Sequence, residues 1–112
     1  MDLNQLLQNL SFKKRLIAPL LEQILKHIYK KKQIGHLVLV GLTLPHCVST
    51  TTRMAANLGF EVTLLADATA SFTLSNKNGQ AISPETIHEI NLLSLQDEFA
   101  QILTTEEFLT QV

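Results

Sequence analysis

At 112 residues, 46% hydrophobic and 17% charged, the chain has enough material for one hydrophobic core and too little for two ordinary domains. It also lies far from the polar, highly charged compositions that stay disordered. Nine basic residues against ten acidic ones give a net charge of −1, which excludes the strong fields that gather nucleic acid or anionic membrane.

From Asp2 to about Lys32 the apolar residues recur at helical spacing, with Leu3, Leu6, Leu7 and Leu10 in one stripe and Leu16, Leu20, Leu21, Ile24, Leu25 and Ile28 in another. Two helices are expected, the second starting near Pro19, because proline is tolerated in a first helical turn and not inside a helix. Lys30-Lys31-Lys32 falls where that helix should end, and there it complements the negative end of the helix dipole. No apolar run is long enough to cross a bilayer. The opening Met1-Asp2-Leu3-Asn4 has an acid where a secretory signal has a basic region, and the single cysteine forms no internal disulfide, so the cytoplasm is the default expectation.

His36-Leu37-Val38-Leu39-Val40, bounded by Gly35 and Gly41, is a continuous apolar and β-branched run. Such a run predicts a strand buried on both faces, as in parallel sheets. A helix is predicted from Cys47 to Leu58, with Gly59 at the position that ends it, although Thr50, Thr51 and Thr52 are poor helix formers. Phe60 to Ala66 reads as a second strand, followed by a loop holding Asp67, Asn76, Asn78 and Gly79. Ser83-Pro84-Glu85 has the hydroxyl, proline and acid that open a helix, here running through Leu95 to about Glu98. Ala100 to Leu103 is a short strand, and Thr104-Thr105-Glu106-Glu107 has the spacing of a capping box before a last helical turn or two. Strand and helix alternation of this kind predicts an open α/β sheet with parallel strands joined by crossovers.

In such sheets ligands bind beyond the carboxyl ends of the strands, where loops lead into helix N-termini. Cys47 falls at such a place, in the predicted first turn of a helix whose unpaired N–H groups favour a thiolate. The plainer alternative is a buried cysteine acting as a small hydrophobe. His46 is a candidate substrate-wall residue or thiolate neighbour. Asp67 is a candidate at the active edge of the sheet or a turn cap, and Arg53 a surface ion-pair partner. His27, His36 and His88 lack ligand spacing, so no metal site is expected, and no cofactor either.

The stretch Gly41-Leu42-Thr43-Leu44-Pro45-His46-Cys47-Val48 is followed by Thr51, Arg53, Ala55, Gly59-Phe60-Glu61-Val62 and Asp67-Ala68-Thr69-Ala70-Ser71-Phe72. It resembles the nucleophile segment of isochorismatase-like cysteine hydrolases. His88, Asn91, Leu92, Ser94-Leu95, Glu98-Phe99-Ala100 and Thr104 to Glu107 resemble that family's last helix and strand, so the likeness covers about Leu37 to Leu109. It implies a Rossmann-like three-layer α/β/α fold with a mostly parallel sheet, here shortened and lacking the N-terminal strands. Residues 1–34 would be a helical N-terminal segment and 35–112 the α/β portion of a single, partial domain.

The resemblance also implies Cys47 as the nucleophile of an aspartate, lysine and cysteine triad. It further implies a non-proline cis peptide at Leu42-Thr43, and an oxyanion hole made by the backbone N–H groups of Thr43 and Cys47. The expected substrate is a small molecule with an amide-like or related bond. Two positions depart from the family pattern. Leu44 stands where threonine is common, and no early strand carries the aspartate; Asp2 does not match it, and Lys13 matches the lysine only faintly. A catalytically inactive binding or assembly subunit is therefore the alternative reading, and a flavodoxin-like regulatory module with a buried, inert thiol is a third. A shortened sheet leaves an open edge and apolar surface, so association with itself or with a companion chain supplying the missing half is expected.

Overall fold

The computed structural model describes residues 22–31 and 33–111. The expected helix over Leu3 to Leu10, the start near Pro19, Asp2, Lys13 and Lys32 lie outside the described residues. One compact unit ends at Ile34 and another begins at Gly35. In the first, residues 22–31 are helical (α1), Leu25 is buried, and Glu22 and Lys26 form an exposed pair one turn apart. No described helix is long and apolar enough to cross a membrane.

The second unit is an α/β structure around a parallel sheet. Its strands are β1 (His36–Leu42), β2 (Glu61–Ala70) and β5 (Gln101–Leu103), in the order β1-β2-β5. A π-helical turn, Leu44–Val48, runs directly into α2 (Ser49–Asn57); β3 (Leu74–Ser75) and β4 (Ala81–Ile82) form a small antiparallel hairpin. Then come α3 (Pro84–Leu95) and α4 (Thr105–Thr110). The core gathers Leu44, Ala55, Phe60, Val62, Leu64, Leu65, Leu95 and Leu103. Leu64, at the centre of β2, pairs with Leu39 on one side and Ile102 on the other.

The local signals act where they were read. Gly59, at φ +98°, ends α2 in a Schellman turn. The Phe60 N–H returns to the Ala55 carbonyl and the Gly59 N–H to that of Ala56. Ser83 caps α3 through the Thr86 N–H. The Thr104 and Glu107 side chains satisfy each other's backbone N–H groups at the start of α4.

Four expectations are corrected. The first strand is not buried on both faces: it lies at the sheet edge and its burial alternates, leaving Val38, Val40 and Leu42 exposed at 39%, 57% and 61%. It also continues through Gly41, whose φ of +129° suits glycine, to pair Leu42 with Ala70. The second strand does not stop at Ala66. Its register against β1 jumps between Leu39–Leu64 and Gly41–Thr69, so residues 65–68 form a bulge relative to β1. The Thr69 hydroxyl holds that bulge by donating to the Leu65 and Ala66 carbonyls. The helix predicted from Cys47 begins earlier, at Leu44, and α3 stops at Leu95, short of Glu98, with Asp97 in the left-handed region at φ 65°.

Candidate active site

The Cys47 turn is built from the end of β1. The Leu42-Thr43 peptide bond is cis. Thr43 is extended, and its carbonyl accepts from the N–H groups of both His46 and Val48. The bond from Val48 spans five residues and makes the turn π-helical, which corrects the placement of Cys47 in the first turn of an ordinary α-helix. Leu44 and Val48 are buried and anchor the turn, with Pro45 in its opening positions. Cys47 is left exposed.

The threonine run that argued against a helix is accommodated by back-bonding. Thr51 Oγ1 donates to the Cys47 carbonyl at 2.8 Å and Thr52 Oγ1 to the Val48 carbonyl at 2.8 Å, the i to i−4 pattern open to hydroxyl residues in helices. The sequence reading names Thr51 in the family-like segment but not this contact, for which its place four residues after Cys47 is the signal.

Cys47 lines an open recess of about 180 Å³ together with Leu39, Val40, Leu42, Val48 and Thr51. The side chains around it are apolar apart from the Thr51 hydroxyl and the thiol, which is the one titratable group among them. Thr43 lies beside the recess, and its Oγ1 is 2.8 Å from His46 Nδ1, so the exposed imidazole is held from one side with its Nε2 away from Thr43.

Other candidates serve the scaffold. Asp67 stands on the β2 bulge, and its Oδ1 accepts from both the backbone N–H and the hydroxyl of Thr105, at 2.8 and 2.9 Å. These bonds, the backbone one first, hold the exposed carboxyl below its usual range; it caps α4. His88 Nε2 donates to the Ala66 carbonyl at 2.9 Å, which leaves Nδ1 to accept from Ser71 Oγ at 3.4 Å, and α3 is thereby tied to the bulge. Among the described residues Arg53 forms no ion pair. It donates to Ser49 and Ser94 and stacks over Phe99, 4.8 Å from the ring centre. Among the described residues, no group of three His, Cys, Asp or Glu side chains is placed to hold a metal ion.

Comparison with known proteins agrees with this fold. Residues 1–107 match the model of the Isochorismatase domain. The chain belongs to the isochorismatase family. It is 49% identical over 85 residues to YrdC, an isochorismatase family protein of Bacillus subtilis, a match covering 76% of this chain and 46% of that protein. A solved isochorismatase family structure from Chromobacterium violaceum superposes with a TM-score of 0.73 at 28% identity, covering 77% of this chain and 45% of that one. One from Burkholderia xenovorans superposes at 0.70 and 31%, covering 77% and 41%. A cysteine hydrolase from Pseudomonas syringae, at 23% identity and a TM-score of 0.72, shares the fold over 78% of this chain and 41% of its own length. The chain thus spans about half the length of the relatives it matches.

Proposed function

We propose that this chain carries the nucleophile of a hydrolase that cleaves an amide-like C–N bond, or a related bond, of a small molecule through a Cys47 acyl-enzyme. The observation that supports this reading is the position of Cys47: exposed, at the mouth of a mainly apolar recess, beyond the carboxyl end of β1 in a family member. A cysteine thiolate there attacks the substrate carbonyl carbon, forming the C–S bond while the carbonyl π electrons move onto oxygen. The backbone N–H groups of Thr43 and Cys47 stabilise that oxyanion. Collapse re-forms the carbonyl and breaks the C–N bond, the amine leaves with a proton, and water then attacks the thioester to release the acid and the thiol. His46, expected as a substrate-wall residue, is held through Nδ1 by Thr43 and stands next to Cys47 outside the recess lining. The side chains of Leu39, Val40, Leu42 and Val48 suit an apolar part of the substrate beside the scissile bond.

One feature favours a second reading, a binding or assembly subunit without activity: among the described residues no titratable side chain but Cys47 itself lines the recess, so this lining provides no base for the thiol. Incubation with an activated acyl ester and with a panel of small primary amides, followed by intact-mass analysis, separates the two. Hydrolysis predicts an acyl adduct on Cys47 that forms and decays, and that is absent in Cys47→Ser. No adduct, or one that persists, overturns the hydrolase reading and leaves the binding subunit.

A further inference from the structure

Two neighbouring threonines of α2 make the same backbone contact and differ in what each has left to offer. Thr51 Oγ1 donates to the Cys47 carbonyl and Thr52 Oγ1 to the Val48 carbonyl, each at 2.8 Å. A hydroxyl has one proton to give and two lone pairs that receive, so each oxygen, with its proton committed, remains an acceptor. Thr52 is fully buried, and a ligand does not reach it. Thr51 is half-buried and lines the recess with Cys47. The side chains of Leu39, Val40, Leu42 and Val48 carry no hydrogen-bonding atom, and a thiol is a weak donor and acceptor. Among the side chains of this lining, Thr51 Oγ1 is therefore the strong hydrogen-bonding atom, and it is poised to receive.

We propose that Thr51 is a specificity-determining residue, whose oxygen accepts a hydrogen bond from an N–H of the molecule held at Cys47. Residues four apart on a helix are neighbours, with Cβ atoms about 5–6 Å apart. The carboxamide nitrogen of a compound joined to Sγ lies two or three bonds beyond the sulfur, within reach of a side chain one turn away. An ester oxygen in that place brings no proton and sets its lone pairs against those of Oγ1; a dialkylated nitrogen brings no proton either. Resting on the hydrolase reading for its consequence, the proposal names the substrate class as a primary or secondary amide, in preference to an ester or a tertiary amide. The preference is moderate, because an unpaired oxygen that is half in water falls back on solvent, unlike one sealed in a pocket. It should be about three- to tenfold, the size of one net hydrogen bond.

The test alkylates Cys47 in the full chain with iodoacetamide and with N,N-dimethyl-iodoacetamide and follows both by intact mass. Each rate is divided by the rate of the same reagent with glutathione, which removes intrinsic reactivity. The parent should favour iodoacetamide by the factor above, Thr51→Ser should keep that preference and Thr51→Val should lose it. A parent ratio equal to that of glutathione overturns the proposal without any variant. Valine preserves the shape of threonine without its oxygen, so a preference that survives Thr51→Val is steric and also overturns it. A Thr51 that merely braces the Cys47 carbonyl gives that same result, since its loss changes both rates together and leaves their ratio alone. Selection without turnover of an acyl adduct supports the proposal and defeats the hydrolase reading alone; turnover without selection overturns the proposal alone.

Discussion

β1 and β2 are neighbours in one sheet, have similar apolar sequences and run parallel, yet they live in different environments. β2 has a strand on each side and is buried from Val62 to Leu65, whereas β1 alternates between exposed and half-buried along its whole length. The difference lies in their neighbours, since Leu37-Val38-Leu39-Val40 is as hydrophobic as Val62-Thr63-Leu64-Leu65. An apolar run specifies that a strand is meant to be covered, and among the described residues one of the two such runs is covered. Function follows the same division: the bulge of the buried strand, through Asp67 and His88, holds α4 and α3, while the Cys47 turn and its recess belong to the exposed strand.

Mutations that sample the two strands sharpen this contrast. Leu64 is fully buried at the centre of β2, and Leu64→Ala should cost about 2–5 kcal/mol of unfolding free energy, from lost transfer energy and the cavity left behind. Urea denaturation measures it; a loss below about 1 kcal/mol would mean that this core collapses around small gaps. The next effect is at the helix starts. Thr104→Ala removes one half of the capping box that begins α4 and should cost about 1 kcal/mol, measured the same way, with no change in Cys47 alkylation rate.

Much of this molecule was legible in its sequence where the determinants are local. Ser83-Pro84-Glu85, Gly59 and Thr104 to Glu107 act through contacts within a few residues of themselves, and each does so in the structure. The parallel α/β order was legible from alternation, and the place of Cys47 at the end of the first strand from the glycine and apolar pattern before it. What was not legible depends on partners distant in the chain. The β2 bulge arises from registering against Gly41 and Leu42, and the fate of Asp67 depends on Thr105, 38 residues away. Arg53 could be read as a surface charge, but not as a group laid over Phe99. The π-helical form of the Cys47 turn rests on one carbonyl, that of Thr43, accepting twice.

Asp67→Asn tests whether the bulge is held electrostatically. A carboxyl whose pKa is lower in the fold than in the open chain adds stability above the unfolded value, 3.8 here, and loses it as pH falls through the lower folded value. The parent should therefore lose stability below about pH 4 more steeply than Asp67→Asn, whose amide keeps an acceptor for Thr105 but does not titrate; the effect is small because the carboxyl is exposed to solvent. Parallel acid titrations of the two would break the assignment.

The smallest effect is expected at Val40. More than half of its surface is already in water, so Val40→Ala in the chain alone should change stability by less than about 0.5 kcal/mol, against the several lost at Leu64. If a companion segment covers β1, the same substitution measured in the complex should cost more, because the valine then leaves water on binding. The ratio of the two costs measures how much of the first strand's hydrophobic surface is used only in company.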